Sequence, residues 1–282
     1  MASSNTGAEF WSGEGGRRWL KGEAFTARAV AAFGADALRA AAPQPRESAL
    51  DVGCGTGATT IELARAVGGG GRVVGIDISA DLLVEARRRA TAAGAHNLSF
   101  VEADAESHEL GENRFDLLHS RFGVMFFADP TAAFANLRRA MRPGGRLAFV
   151  CWTSFKENPW TLVAYAAATQ HLPPLPRLGP EDPGPYSFGD PDRVRRILGG
   201  SGWTEIRLER IEHPIALAAG GGVEEALSFC GSASPVSRLL ANAPEEGKTK
   251  ALAAVRAALA PYETADGRIE LLGRCWLVTA RA

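Results

Sequence analysis

One stretch limits what this chain can fold into more than any other: Ser48-Ala49-Leu50-Asp51-Val52-Gly53-Cys54-Gly55-Thr56-Gly57-Ala58-Thr59-Thr60. An apolar strand ends at an acid, three glycines alternate with other residues, and helical spacing then begins through Ile61, Leu63, Ala64 and Val67. Glycines at 53, 55 and 57 admit positive φ and let main-chain N–H groups approach a ligand at a helix end whose dipole favours negative charge. The stretch reads as a nucleotide-type binding loop.

The flanking pattern supplies the rest of an α/β fold. Arg72 to Asp77 reads as a buried-type strand, Ala80 to Gly94 as an amphipathic helix and Leu98 to Ala103 as a third strand. Phe115 to His119, a helix over Thr131 to Met141 and a strand over Arg146 to Trp152 continue the alternation, which requires a doubly wound, mostly parallel sheet. The run Arg87-Arg88-Arg89 reads as a solvated face near a helix C-terminus. Ahead of the core, residues 8 to 42 predict one or two helices ended by Pro43 and Pro45. Their aromatics at 10, 11, 19 and 25 are either a lid over the glycine loop or ordinary packing anchors. Beyond Trp152, a helix over Trp160 to Gln170 and the proline-rich passage Leu172 to Phe188 are too long for a simple connection and suit a substrate cover. Asp190 to Gly199 reads as a capped helix, Trp203 to Ile215 as a strand and Val223 to Ala260 as mostly helical. Gly267 to Thr279 is a last strand, expected antiparallel at the sheet edge. The organisation is therefore an N-terminal helical lid (1–45), a ligand-binding core (46–152), a substrate cover (153–200) and the C-terminal part of the sheet with a helical insertion (201–282).

Composition narrows the partner. With 282 residues, 46% of them hydrophobic, the chain can bury the core of one catalytic domain. Thirty-one basic against 32 acidic residues give a net charge of -1, without the electrostatic footprint of a nucleic-acid or anionic-membrane binder, so a small molecule is the expected partner. Cys54, Cys151, Cys230 and Cys275 form no C-x-x-C pair, which argues against a metal site or a disulfide framework and for a reducing cytoplasm. Met1 to Gly7 lacks a basic-then-apolar leader, and no uncharged run reaches the length of a membrane span.

Glycine spacing alone does not choose the ligand. Gly53-x-Gly55-x-x-Ala58 also satisfies a dinucleotide fingerprint, and Asp77, 20 residues beyond Gly57, would accept hydrogen bonds from the ribose hydroxyls of either kind of nucleotide. Three features separate the two. Asp51, two residues before the first glycine, could hold an ammonium group directly or through water and would repel a pyrophosphate. Asp104, and more weakly Glu106, is placed to accept from an adenine amine. No second mononucleotide half follows. In open α/β sheets ligands lie beyond the carboxyl ends of the strands, so Ser120 to Met125 should line the meeting point of cofactor and substrate.

With these residues in place, the chain resembles the class I S-adenosylmethionine-dependent methyltransferases, in the small-molecule group related to the quinone-biosynthesis (type 11) enzymes. The resemblance rests on Leu50 to Gly57, Gly75-Ile76-Asp77-Ile78-Ser79, Ala103-Asp104-Ala105-Glu106, Phe115-Asp116 with Ser120 to Phe127, and Leu137 to Gly145, in that order over residues 48 to 152. It implies a Rossmann-like seven-stranded sheet with an antiparallel last strand, and S-adenosylmethionine as methyl donor. The loop with Asp51, Gly53, Cys54, Gly55 and Gly57 would then lie under the methionyl part, Asp77 on the ribose, and Asp104 and Ala105 by the adenine. Trp11, Trp19, Ile78, Leu82, Glu106, Ser120, Arg121 and Met125 complete the cofactor contacts it implies. Phe122, Trp152 and Tyr186 are the substrate-binding candidates. Asn158-Pro159-Trp160 and Trp276 to Arg281 also look like features of a subgroup, which identifies no single acceptor.

Transfer from a sulfonium is an in-line displacement, so alignment in a dry pocket is the protein's main task and a general base is optional. His119, at the expected end of strand four, is the first candidate base or a packed strand histidine; His171 and Tyr186 follow. Arg121 is a candidate to orient a carboxylate or phenolate, or a surface salt bridge. A nucleic-acid enzyme would often carry an acid, Asn or Ser before Pro-Pro-aromatic where Ser120-Arg121-Phe122-Gly123 stands. An NAD(P)-dependent oxidoreductase and a non-methylating S-adenosylmethionine-binding protein remain the rival readings. Acceptor atom and oligomeric state are not written in the sequence.

Overall fold

The computed structural model describes residues 7, 10–179, 181–241 and 243–282. Residues 1–6, 8 and 9, which include most of the Met1 to Gly7 stretch and the start of the 1–45 segment, lie outside the described residues, as do 180 and 242. Seven strands form one sheet: β1 (Ser48–Val52), β2 (Arg72–Asp77), β3 (Leu98–Glu102), β4 (Phe115–Arg121), β5 (Met141–Trp152), β6 (Thr204–Ala219) and β7 (Arg268–Arg281), in the order 3-2-1-4-5-7-6. β1, β2, β3, β4 and β5 pair in parallel, while β7 is antiparallel to both neighbours. This is the Rossmann-like architecture that the motif order implies.

The helices start and stop where backbone chemistry dictates. A helical turn at Trp11–Gly15, kinked at Gly13, leads into α1 (Gly16–Ala41), which ends as Ala42 turns left-handed (φ 43°) ahead of Pro43. α2 (Ala58–Val67) springs from Gly57, whose φ of 80° turns the chain out of the loop, and α3 is Ala80–Ala92. α4 (Pro130–Arg139) and α6 (Pro191–Gly200) pair a first-turn proline with an aspartate cap, Asp129 accepting from Ala132 N–H and Asp190 from Asp192 N–H, both at 2.9 Å. α5 (Pro159–Ala168), α7 (Gly222–Ala233), α8 (Pro235–Ala241) and α9 (Glu245–Leu259) complete the set.

Three expectations change. The strand expected at the sheet edge is not there: β7 runs between β5 and β6, and β6 is the edge. Its exposed first half carries Glu205, Arg207, Glu209 and Arg210, charges that discourage further strand pairing. β5 begins at Met141, not Arg146, because Met141 already pairs with Phe115 before the register jumps to Leu117 and Arg146; the Arg-Pro-Gly-Gly segment is a bulge inside the strand rather than a turn ahead of it. β4 extends to Arg121, two residues past its expected end.

One large core cluster contains side chains from all four segments of the chain, among them Phe33, Leu50, Trp160, Ile215 and Leu271. α1 packs on β4, β5 and β6. Phe33, fully buried, meets Phe122, Trp152 and His213 edge to face at ring separations of 6.3, 5.4 and 4.9 Å. Among the described residues, no helix is long and apolar enough to cross a membrane. The second half of α1 is thus core rather than a detachable lid, and Phe33→Ala should lower unfolding stability by about 3–5 kcal/mol. Urea denaturation checks this, and a loss under about 1 kcal/mol would show α1 to be peripheral.

Candidate functional site

The carboxyl ends of β1, β2 and β4 open into a cavity of about 450 Å³, within the range of small-molecule sites. Its floor is a backbone crossing. A Cβ on Gly53 would sit 2.7 Å from Gly123 Cα, and one on Gly123 would sit 2.6 Å from the Val52 carbonyl oxygen. Only glycine at both positions lets the loop after β1 touch the exit of β4. Ser120 fastens the same crossing, donating to the Val52 carbonyl at 2.7 Å and accepting from Gly123 N–H at 3.2 Å. Phe122 is held at φ 62°, an uncommon conformation for an aromatic residue.

Asp77 ends β2 at the cavity wall. One oxygen accepts from Gly55 N–H at 2.8 Å and the other from Ser79 N–H at 2.9 Å, so each keeps lone-pair capacity for a further donor. Burial raises its carboxyl above the ordinary value against the lowering effect of these N–H groups. Asp104 accepts from Glu106 N–H at 2.9 Å and also lines the cavity, as does Glu106, which accepts from Ala128 N–H (2.7 Å) and Asp129 N–H (3.1 Å). Trp11, Trp19, Gly53, Cys54, Gly55, Ile78, Leu82, Ala105, Arg121 and Met125 are in the wall as well. Burial pushes the Cys54 thiol well up, so it stays protonated. Trp11 packs edge to face against Trp19 (5.9 Å) and Phe126 (4.9 Å), joining the N-terminal turn to the β4 exit.

Phe122, Trp152 and Tyr186, the substrate candidates, line the same cavity. Phe122 stacks on Trp152 at 4.5 Å with planes 21° apart, and Trp152 meets Trp160 at 5.0 Å. Tyr186 shares a hydrogen bond with Thr161 at 3.1 Å, and burial raises its phenol.

The structure does not bring five of the sequence candidates to the wall: Asp51, Gly57, His119, Ser120 and His171, the last of which is exposed just beyond α5. Asp51 is 0% exposed. Its Oδ2 accepts from the hydroxyls of Thr59 and Thr60, both at 2.7 Å, and its Oδ1 lies 3.0 Å from His119 Nδ1. A carboxylate only accepts, so Nδ1 carries the hydrogen. Burial raises the Asp51 carboxyl, but His119 and the two hydroxyls together outweigh it and hold the group below its ordinary value. His119 is also 0% exposed, because β4 continues two residues beyond it, and its Nε2 has no hydrogen-bond partner.

Sequence reasoning missed other wall residues. Arg89, read as part of a solvated run, instead reaches across to Glu23 of α1, with a second contact at 2.7 Å, while Thr56 of the glycine loop donates to Glu23 at 2.5 Å. Glu85 holds Arg89 from behind at 2.7 Å. The helix spacing places Glu85 and Arg89 on one face, but nothing in the sequence points to Glu23 as their partner. Phe229 and Arg238 come from α7 and α8, whose plain helical pattern gives no sign of a binding wall.

The methyltransferase domain family matches residues 49–145. Aklanonic acid methyltransferase DauC of Streptomyces sp. (strain C5) is 39% identical over 137 residues, 46% of this chain and 62% of that protein, so the chain spans less than two thirds of this relative. Demethylmenaquinone methyltransferase of Corynebacterium kroppenstedtii is 30% identical over 173 residues, 58% of this chain and 71% of that protein. Among solved structures, phosphoethanolamine N-methyltransferase 2 of Haemonchus contortus, in complex with phosphomonomethylethanolamine and S-adenosylhomocysteine, superposes with a TM-score of 0.53 at 18% identity, over 88% of this chain and 52% of that one. At that identity the likeness is one of fold.

Because the folded-state Asp51 carboxyl lies below its ordinary value of 3.8, its contribution to stability is complete above that value and is lost as pH falls through the lower, folded value. Asp51→Asn should cost about 1–3 kcal/mol at pH 7, where its partners lose a charged acceptor. The variant should also show a shallower stability loss in acid than wild type. Urea melts at pH 7 and pH 3 measure both, and equal acid slopes would contradict the assignment.

Proposed function

This chain belongs to the class I S-adenosylmethionine-dependent methyltransferases, in the group that includes the demethylmenaquinone enzymes, and from that membership we propose that it methylates a small molecule at the cavity beyond β1, β2 and β4. The observation that carries the reading is Asp77: a carboxylate at the tip of β2, fixed by two backbone N–H groups, with acceptor capacity still turned to the cavity. That arrangement suits a ribose diol. The crossing of Gly53 and Gly123 keeps the floor free of side chains, as a ligand lying against bare backbone requires.

When bound, S-adenosylmethionine supplies a methyl group already activated on a sulfonium. The protein's share is position and dryness. In this reading Asp77 holds the ribose, Asp104 and Ala105 border the adenine, and Gly53, Cys54 and Gly55 underlie the methionyl end. Ile78, Leu82 and Met125 form apolar contacts, and Trp11 and Trp19 close over the top. Asp51 acts one step back, holding α2 and β4 so that the loop keeps its shape. Phe122, Trp152 and Tyr186 wall the acceptor region and exclude water, and alignment there accounts for up to about 7–11 kcal/mol of barrier lowering in well-oriented systems. His119, fully buried and bonded to Asp51, is a positioning residue in this account rather than a base. In this reading the part of the 1–45 segment around Trp11 and Trp19 serves as lid while the second half of α1 belongs to the core, 153–200 serves as cover, and 201–282 completes the sheet of the 46–152 core. A concave cavity of about 450 Å³ supports a small acceptor over nucleic acid, and four free, buried cysteines accord with a cytoplasmic setting.

Thermal-shift measurements with S-adenosylhomocysteine, NADH and NADPH test the reading: stabilisation by S-adenosylhomocysteine alone is expected, and stabilisation only by a nicotinamide nucleotide would overturn it. Within it, Asp77→Ala should weaken S-adenosylhomocysteine binding by about 10–100-fold in calorimetry, since it removes a charged hydrogen-bond acceptor. His119→Ala, titrated where it remains folded, should change it much less. Equal losses would remove the ribose role from Asp77.

A further inference from the structure

The cavity is electrically lopsided. Among the described residues, the carboxylates that line it belong to the half around the glycine loop and the tips of β2 and β3: Glu23, Asp77, Asp104 and Glu106. Each is already engaged, Glu23 by Arg89 and Thr56, the other three by backbone N–H groups. No histidine is among the described residues that line the cavity. The opposite wall carries an aromatic run from Phe122 through Trp152 and Trp160 to Phe229, with hydroxyls of Ser232, Ser234 and Ser237 beyond it. Its one phenol, Tyr186, is committed to Thr161 and shifted by burial toward staying protonated. Among the described residues, the aromatic half therefore holds no carboxylate or histidine to remove a proton from an acceptor at neutral pH.

What it does hold is Arg121. In the β4–β5 register Arg121 faces Val150, so its side chain shares a sheet face with Trp152, one two-residue step further along β5. On the other side Asp51 faces His119, which sets Arg121 level with Gly53. Arg121 thus stands at the seam between the glycine loop and the aromatic wall. Its stem passes α1 at a glycine: a Cβ on Gly34 would come within 2.9 Å of Arg121 Cδ. The guanidinium is half-buried, lines the cavity, and makes no hydrogen bond or ion pair among the described residues. The carboxylates that act on it from a distance are Asp51, Glu62 and Glu23, and none closes a contact. Arg238, exposed on α8 at the cavity wall, is also unpaired among the described residues. A desolvated cation without a partner is costly unless a ligand supplies the anion.

We propose that the methyl acceptor is an aromatic acid, bound against Trp152 with its ionised nucleophile (a carboxylate, phenolate or enolate) paired to Arg121. The inference rests on the methyltransferase reading above and names its substrate class. Such an acceptor needs no base. Its lone pair forms the new bond to the methyl carbon, the carbon–sulfur bond breaks with its electron pair left on sulfur, and no proton changes hands. The charge on the acceptor and the charge on the sulfonium cancel in the products. Arg121 selects the ionised form by a charge-assisted, two-pronged hydrogen bond, and Arg238 draws anions toward the opening.

The test is calorimetric titration of the S-adenosylhomocysteine-saturated protein with 2-naphthoate and with its neutral isostere 2-naphthamide. Wild type should prefer the carboxylate by at least about tenfold, the scale of one charge-assisted hydrogen bond. Arg121→Gln should reduce the preference to under about threefold and, although Arg121 is also among the cofactor contacts that the resemblance implies, should lower naphthoate affinity by more than it lowers S-adenosylhomocysteine affinity; Arg121→Lys, which keeps the charge, should retain part of the preference. Equal affinity for the two probes in wild type, or no measurable naphthoate binding at its solubility limit, overturns the proposal. So does an Arg121→Gln variant that loses S-adenosylhomocysteine affinity by as much as, or more than, it loses naphthoate affinity, since the guanidinium would then serve the donor's own carboxylate. A wild-type protein that binds no S-adenosylhomocysteine sinks the methyltransferase reading, and this inference with it.

Discussion

The site depends on a carboxylate that never meets solvent. Asp51 ties together three elements that the chain delivers separately: β1, which carries it; α2, through the hydroxyls of Thr59 and Thr60; and β4, through His119. Burying a charge is tolerable only when its lone pairs are filled, and here they are filled by the two elements whose ends define the cavity floor. The glycine loop is the segment caught between them. Its shape is set from below by this anchor and from the side by the Gly53–Gly123 crossing, so it is arranged before any ligand arrives.

The upper half of the site is held by a different device. Glu23, Thr56, Arg89 and Glu85 form a chain of charged and polar contacts from α1 through the glycine loop to α3. These groups are partly exposed, so solvent screens them, and their value lies in registering α1 over the loop more than in stability. The apolar second half of α1 is locked by Phe33. The two ends of one helix are thus held by different forces, a packed core at one and polar contacts at the other.

Much of this was legible in the sequence because a parallel strand and a glycine turn leave local marks. The spacing of Asp51, Gly53, Gly55, Gly57, Asp77 and Asp104 follows from one strand–loop–helix unit and the next strand tips, each within a short stretch of chain. What stayed hidden depends on distant pairing. His119 read as a strand end because Ser120-Arg121 is polar, yet its pairing with Asp51 and that of Arg121 with Val150 carry the strand onward. Asp51 read as ligand-facing, since the sequence does not reveal that Thr59 and Thr60 fold back onto it. Arg89 read as solvent-facing for want of any sign of Glu23. The acceptor wall drew Phe229 from a helix with no local peculiarity, brought there only by the packing of α7 on α1.

The position of β7 bears on how the sheet is assembled. β7 pairs on both sides, with β5 along Arg146 to Trp152 and with β6 along most of its length, so it is an inner strand although it is the last to be synthesised. Until residues 268–281 have left the ribosome, the edge of β5 beside the cavity has no partner and β6 has no sheet to join. The early βα units pair from nearer neighbours, but closure of the sheet waits for β5–β7 pairs such as Arg146 with Arg281, far apart in sequence and so slow to form. During that interval the β5 edge ending in Cys151 and Trp152 is an open template for another strand, and a growing chain stalled short of β7 would be exposed to association there.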